Sequence, residues 1–199
     1  MLLAAPAMAA PGRIAVYGHR GSAGTLPGDT LPSFQAAMDA GADALELDLN
    51  VTKDGVLVVS HEQYVTPGRC LGPGGKRLEK AVPIRSLTLS ELKKYDCGSL
   101  TDPALPGQRP APGAPIPTLD EVFRLAAPPG KGGGPDLDIE TKLVPYTPQL
   151  SASPAEFARL IAAEVDKVDP GHARRMGPGR GGRGRRDNHR LPRRTGPVP

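Results

Sequence analysis

Two short motifs place acids where they can act together. In "ALELDLN", Glu46 and Asp48 are two residues apart on a predicted strand, so both leave one face while Leu45, Leu47 and Leu49 leave the other. In "LDIETK", Asp138, Glu140 and Lys142 share one face and Leu137 and Ile139 the other. Either motif alone fits a solvated strand face. Among parallel strands, which are covered on both sides, inward carboxylates would repel one another and lose hydration. A hard divalent cation with oxygen ligands resolves both difficulties. Glu46, Asp48 and Glu140 are therefore candidate metal ligands, and Lys142 is placed to meet an anionic substrate.

Two histidines add proton transfer. His19 follows the apolar run "IAVYG" and His61 follows "VLVVS". A lone histidine is more often structural. Two that close predicted parallel strands sit where such sheets carry their active face. Imidazoles there can divide general-base and general-acid work near neutral pH. Arg20 offers a planar fork suited to phosphate oxygens. Two proton carriers, three carboxylates, an arginine and a lysine make a kit for metal-assisted displacement at phosphorus. His172 and His189 lie in an unpatterned tail and receive no role.

The elements that must position these groups alternate. Strands are predicted over 14–18, 44–49, 56–60 and 137–141, all taken as parallel, the first being short and buried. A helix capped by Thr30 runs to about Ala40, with Pro32 in its first turn. Capping boxes Thr88/Glu91, Thr118/Glu121 and Ser153/Glu156 open three more helices. The last carries Phe157, Leu160, Ile161, Val165 and Val168 at helical spacing. Residues 62–115 are rich in Gly and Pro and read as an excursion. The alternation implies an α/β fold with a parallel sheet. About four strands are too few for a closed eight-stranded barrel.

The stretch "HRGSAGTLPGDTLPSFQAAMDAGADALELDLNVTKDGVLVVSHE", followed by "IPTLDEVF" and "LDIETK", resembles the landmarks of glycerophosphodiester phosphodiesterases over about residues 13–168. The resemblance implies a TIM-barrel-type fold of the phospholipase-C-like kind, of which this chain carries about the first half. It implies hydrolysis of a glycerophosphodiester to an alcohol and sn-glycerol 3-phosphate. His19 and His61 would be the acid/base pair, Glu46, Asp48 and Glu140 the ligands of Ca²⁺ or Mg²⁺, and Arg20 and Lys142 the phosphate contacts. The 62–115 excursion takes the place of the family's small insertion. Where the family usually has Pro-Glu-Asn-Thr, this chain has Pro27-Gly28-Asp29-Thr30.

Bulk properties bound the rest. The 199 residues include 25 Gly and 24 Pro, enough for part of the chain to be low-complexity. Nine of the 25 basic residues fall in 171–199 beside a single acid, Asp187, so the +4 net charge belongs to the tail and the body is mildly acidic. That balance suits a cation site better than a nucleic-acid surface, and no aromatic residue is interleaved in the tail for base stacking. The tail is either a basic arm for nucleic acid or anionic membrane, or the product of a shifted reading frame or truncation. Its abrupt onset favours the second, which predicts that an alternative frame restores periodicity after Pro170. An incomplete barrel is expected to be weakly stable and to turn over little. Cys70 and Cys97 form no metal-type spacing, and both a disulfide and two thiols fit. No apolar run reaches membrane-spanning length. The start, residues 1–12, reads either as a flexible N-terminus, which leaves a cytoplasmic location open, or as the end of a secretory signal, which implies a periplasmic or secreted origin and is the favoured reading.

Overall fold

The structure, a computed structural model, describes residues 14–127, 134–144 and 146–168. The N-terminal dozen and the 171–199 tail lie outside the described residues. The main sheet contains β1 (Tyr17–His19), β2 (Ala44–Val51), β3 (Leu57–Val59) and β6 (Asp136–Thr141). β2 pairs in parallel with β1 on one side and β6 on the other. Helices α1 (Leu31–Asp39), α3 (Leu119–Ala126) and α4 (Pro154–Val168) alternate with those three strands as successive β-α units.

The predicted third strand is not parallel. β3 runs antiparallel to β2, with Leu49 opposite Val59 and Val51 opposite Leu57. Thr52 and Val56 close the turn, and Gly55 takes φ 80°. So short a connection can only reverse the chain, because a parallel return needs a crossover of a dozen residues or more. His61 therefore reaches the site by a reversal rather than at the end of a parallel strand.

The predicted first strand is shorter and far less buried than its apolar run implies. Ile14 is 85% exposed, and Val16 and Tyr17 more than half exposed. Among the described residues β1 has a partner on one side alone, so nothing covers its outer edge.

The alternation in β2 divides the molecule. Leu45, Leu47 and Leu49 are fully buried against Phe34 and Ala37 of α1, Val122 and Phe123 of α3 and Phe157 of α4. A Leu→Ala change there would cost about 2–5 kcal/mol. The opposite face carries Glu46, Asp48 and Asn50, and Asn50 stands across from Val58. Val58 seeds a second cluster with Val65, Ile84, Leu92, Ile116, Cys70 and Cys97. The excursion thus has its own core, a two-stranded ribbon of β4 (Tyr64–Val65) and β5 (Val82–Pro83), and the short helix α2 (Leu89–Leu92). A disulfide joins Cys70 to Cys97, resolving the alternatives left by the sequence.

Local signals set the helix starts. Thr30 accepts the Ser33 N–H, and both Thr88/Glu91 and Thr118/Glu121 form reciprocal capping boxes. The third box is half made. Ser153 accepts the Glu156 N–H at 3.2 Å, but the Glu156 carboxylate turns away, and both its oxygens accept from Arg85 Nη2, at 3.0 and 3.1 Å. A charged guanidinium is a stronger partner for a carboxylate than a backbone N–H, and here it staples the excursion, through Arg85, to α4.

Candidate active site

β2 and β6 bring the acids together. Their register sets Asp48 directly opposite Glu140 and Glu46 opposite Asp138. Glu46, Asp48 and Glu140 each offer an oxygen within 4.8 Å of the others. Asp138, on the same face, is outside this group. The three acids differ in setting. Asp48 is 1% exposed and Glu140 61%, because β6 is an edge strand among the described residues.

Two cations face the cluster. Arg20 Nε is 3.4 Å from Asp48 Oδ2, and Lys142 Nζ is 2.7 Å from both Asp48 Oδ1 and Glu140 Oε1. Arg20 takes φ 50°, a left-handed conformation unusual for a side-chain-bearing residue. That twist turns its backbone N–H onto Glu46 Oε2 at 2.9 Å while its side chain returns towards Asp48. Strain of this kind concentrates at functional sites. The Lys142 hydrogen bond holds the Glu140 carboxyl below its ordinary range. Burial works against the Lys142 charge, but its contacts with Asp48 and Glu140 outweigh that and hold the ammonium above the usual lysine value.

The cluster fits a divalent cation on a direct observation. Both oxygens of Asp48 are buried and face only the ion-pair contacts of Lys142 and Arg20, without a well-directed hydrogen bond. Buried carboxylate oxygens need compensating positive charge, and Lys142 and Arg20 supply part of it to Asp48. Three converging oxygens with carboxylate chemistry are the donor set a hard cation takes.

The histidines flank the acids differently. His19 Nε2 lies 3.8 Å from Glu46 Oε2, and the ring is 69% exposed. His61 is held more firmly. Its Nδ1 lies 2.9 Å from Glu62 Oε1, and its backbone N–H donates to Asp29 Oδ2 at 2.9 Å. All seven predicted site residues thus fall in one neighbourhood on the Glu46/Asp48 face of the sheet or at its rim.

Three supporting residues escaped the sequence reading. Asn50 is the third member of the Glu46/Asp48 alternation, and its Nδ2 donates to the carbonyls of Ser60 and Glu62 at 2.6 and 3.1 Å. Those bonds fix the turn that carries His61. The alternation itself was the signal. Glu62 was adjacent to His61 but unremarkable in sequence. Asp29 was noticed only as a departure. It takes φ 59° and is buried, and burial pushes its carboxyl up to about 6 against the opposing pull of Arg69.

Comparison with known proteins bears on the chain as a whole. The Glycerophosphoryl diester phosphodiesterase family matches residues 19–178. A glycerophosphodiester phosphodiesterase from Caldanaerobacter subterraneus is 39% identical over 110 residues, covering 55% of this chain and 39% of that protein. One from Bacillus subtilis is 36% identical over 116 residues, covering 57% and 36%. The chain therefore spans well under half the length of these relatives. A Silicibacter pomeroyi structure assigned to the same phosphodiesterase class superposes with a TM-score of 0.71 at 29% identity, covering 79% of this chain and 55% of that one. An Oleispira antarctica phosphodiesterase solved with the product sn-glycerol-3-phosphate gives 0.56 at 25% identity, covering 77% and 52%.

Proposed function

We propose, from the premise that this chain belongs to the glycerophosphodiester phosphodiesterase family and has its partial TIM-barrel-like α/β fold, that it contributes the catalytic face for hydrolysing glycerophosphodiesters to an alcohol and sn-glycerol 3-phosphate. The observation that carries the reading is the convergence of Glu46, Asp48 and Glu140 within 4.8 Å, with Arg20 and Lys142 against them.

Glu46, Asp48 and Glu140 would hold Ca²⁺ or Mg²⁺. Such a cation, when bound, neutralises phosphate oxygens and favours attack at phosphorus. Arg20 and Lys142 bind the remaining non-bridging oxygens and absorb charge that grows as water adds. One histidine accepts a proton from the attacking water. The other donates a proton to the departing alkoxide as the phosphorus–oxygen bond breaks. Glu62 orients the His61 ring through Nδ1, leaving Nε2 for transfer. Asp29 and Asn50 fix the backbone that carries it.

The Cys70–Cys97 bond supports a periplasmic or secreted setting, where disulfides persist. Among the described residues no helix is long and apolar enough to cross a membrane.

The test is release of sn-glycerol 3-phosphate from glycerophosphoethanolamine with added Ca²⁺ or Mg²⁺. Release that stops with chelator and with His19→Ala or His61→Ala supports the reading. No release with either metal, in the full chain, overturns it.

A further inference from the structure

A cavity of about 350 Å³ opens beside the carboxylate cluster, between the loop after β1 and the excursion. Arg20, Glu62, Gly68, Arg69, Thr101 and Asp102 line it, with Leu100 and Leu105 among its apolar walls. Its position ties it to the chemistry. Arg20 also faces Asp48, and Glu62 holds His61. A phosphate bound at Arg20 would direct one of its two ester arms into this space.

The cavity is pre-formed. Gln108 of the excursion donates to the carbonyls of Ala23 and Leu26 at 2.7 and 3.0 Å, and the Arg109 N–H donates to Thr25 at 2.8 Å. Arg69 donates to the Gly28 carbonyl at 2.9 Å, and the Cys70–Cys97 bond stands behind the wall. Such bracing lets a site select among ligands without paying their ordering entropy in loop closure.

The wall chemistry is specific. Among the described residues no aromatic side chain lines the cavity, although aromatic faces are what recognise quaternary ammonium groups. Two guanidinium groups and two carboxylates line it, so its walls carry no excess of either formal charge. Arg20 and Arg69 bring donors to the wall, and Glu62 and Asp102 bring acceptors. Thr101 adds a hydroxyl that both donates and accepts and has no intramolecular partner among the described residues. That inventory matches neutral hydroxyls, which need both roles satisfied.

We infer that this cavity receives the leaving-alcohol arm of the substrate and favours an uncharged polyol over a quaternary ammonium alcohol. The inference rests on the proposed hydrolysis for its substrate but is tested by binding. In a His19→Ala background with Ca²⁺, calorimetry compares glycerophosphoinositol, glycerophosphocholine and sn-glycerol 3-phosphate. The inositol diester is expected to bind about tenfold more tightly than the choline diester. Gly68→Leu fills the cavity, and a Cβ at Gly68 meets nothing within 4 Å, so the fold has room for it. It should weaken the inositol diester about tenfold and leave sn-glycerol 3-phosphate within twofold. Thr101→Val, nearly isosteric, should weaken the inositol diester about fivefold and leave the choline diester unchanged. Equal affinity for the two diesters, equal loss of sn-glycerol 3-phosphate in Gly68→Leu, or no effect of either substitution overturns the inference. Absence of turnover in the wild-type chain with these binding preferences intact would sink the proposed hydrolysis and leave the cavity assignment standing.

Discussion

The buried carboxylate of Asp29 accepts the backbone N–H of His61 at 2.9 Å, tying the loop after β1 to the end of β3 across 32 residues of sequence. Its other oxygen, Oδ1, is buried without a hydrogen bond, and Arg69 Nη1 lies 4.0 Å from Oδ2. The group therefore holds a catalytic candidate in place at an electrostatic cost.

That cost has a sign and a window. The Asp29 carboxyl sits at about 6 in the fold against an ordinary 3.8, chiefly from burial. The folded state binds the proton more tightly, so stability falls as pH rises from about 4 to about 6 and then levels. Asp29→Asn keeps an acceptor for the His61 N–H, tolerates φ 59° and carries no charge. In metal-free protein it should gain up to about 3 kcal/mol at pH 7.5 and almost nothing at pH 4. Urea melts at both pH values check this. An equal effect at the two would contradict it.

Asp48 and Glu140 face the same space but support the fold unequally. Asp48→Ala leaves Arg20 and Lys142 without their buried counter-charge and should cost about 2 kcal/mol. Glu140→Gln, at an exposed edge, should change stability by less than about 0.5 kcal/mol. Both should weaken Ca²⁺ or Mg²⁺ binding at least about tenfold. Calorimetric titration of the metal alongside denaturant melts separates the two effects.

Removing an imidazole should lower turnover without unfolding the chain. His19 is mostly exposed and His61 partly so. His19→Ala and His61→Ala are each expected to reduce kcat about 10²–10⁴-fold with melting temperatures near that of the parent. A variant that keeps parental kcat would remove its residue from the acid/base pair.

Reduction of Cys70–Cys97 opens a loop of 27 residues, which chain entropy values at about 3–4 kcal/mol. Thermal melts with and without reductant, and of the Cys70→Ser/Cys97→Ser double variant, should show matching losses. The excursion also braces the loop that leads to Asp29, so proteolysis within 62–115 should accelerate in parallel.

The chain's order alone carried a great deal. The alternation in "ALELDLN" separates a leucine face from an acid face on any strand, because side chains of an extended chain must point to opposite sides. Thr30, Thr88 and Thr118 mark helix starts because orphan backbone N–H groups there need a nearby oxygen. What local rules missed came from partners distant in sequence. β3 is antiparallel because its turn is short, and β1 is exposed because no described strand covers it. Glu156 abandoned its capping box for Arg85, 71 residues away.

The seven polar groups were thus nameable from residue type and period, since those depend on neighbours two to four positions apart. Tertiary structure alone decided that Asp48 stands opposite Glu140, that Asn50 and Asp29 hold His61, and that an excursion walls a cavity beside them. Those facts depend on strand register and loop docking, which burial of the leucine face and the second core select together and which no single segment encodes.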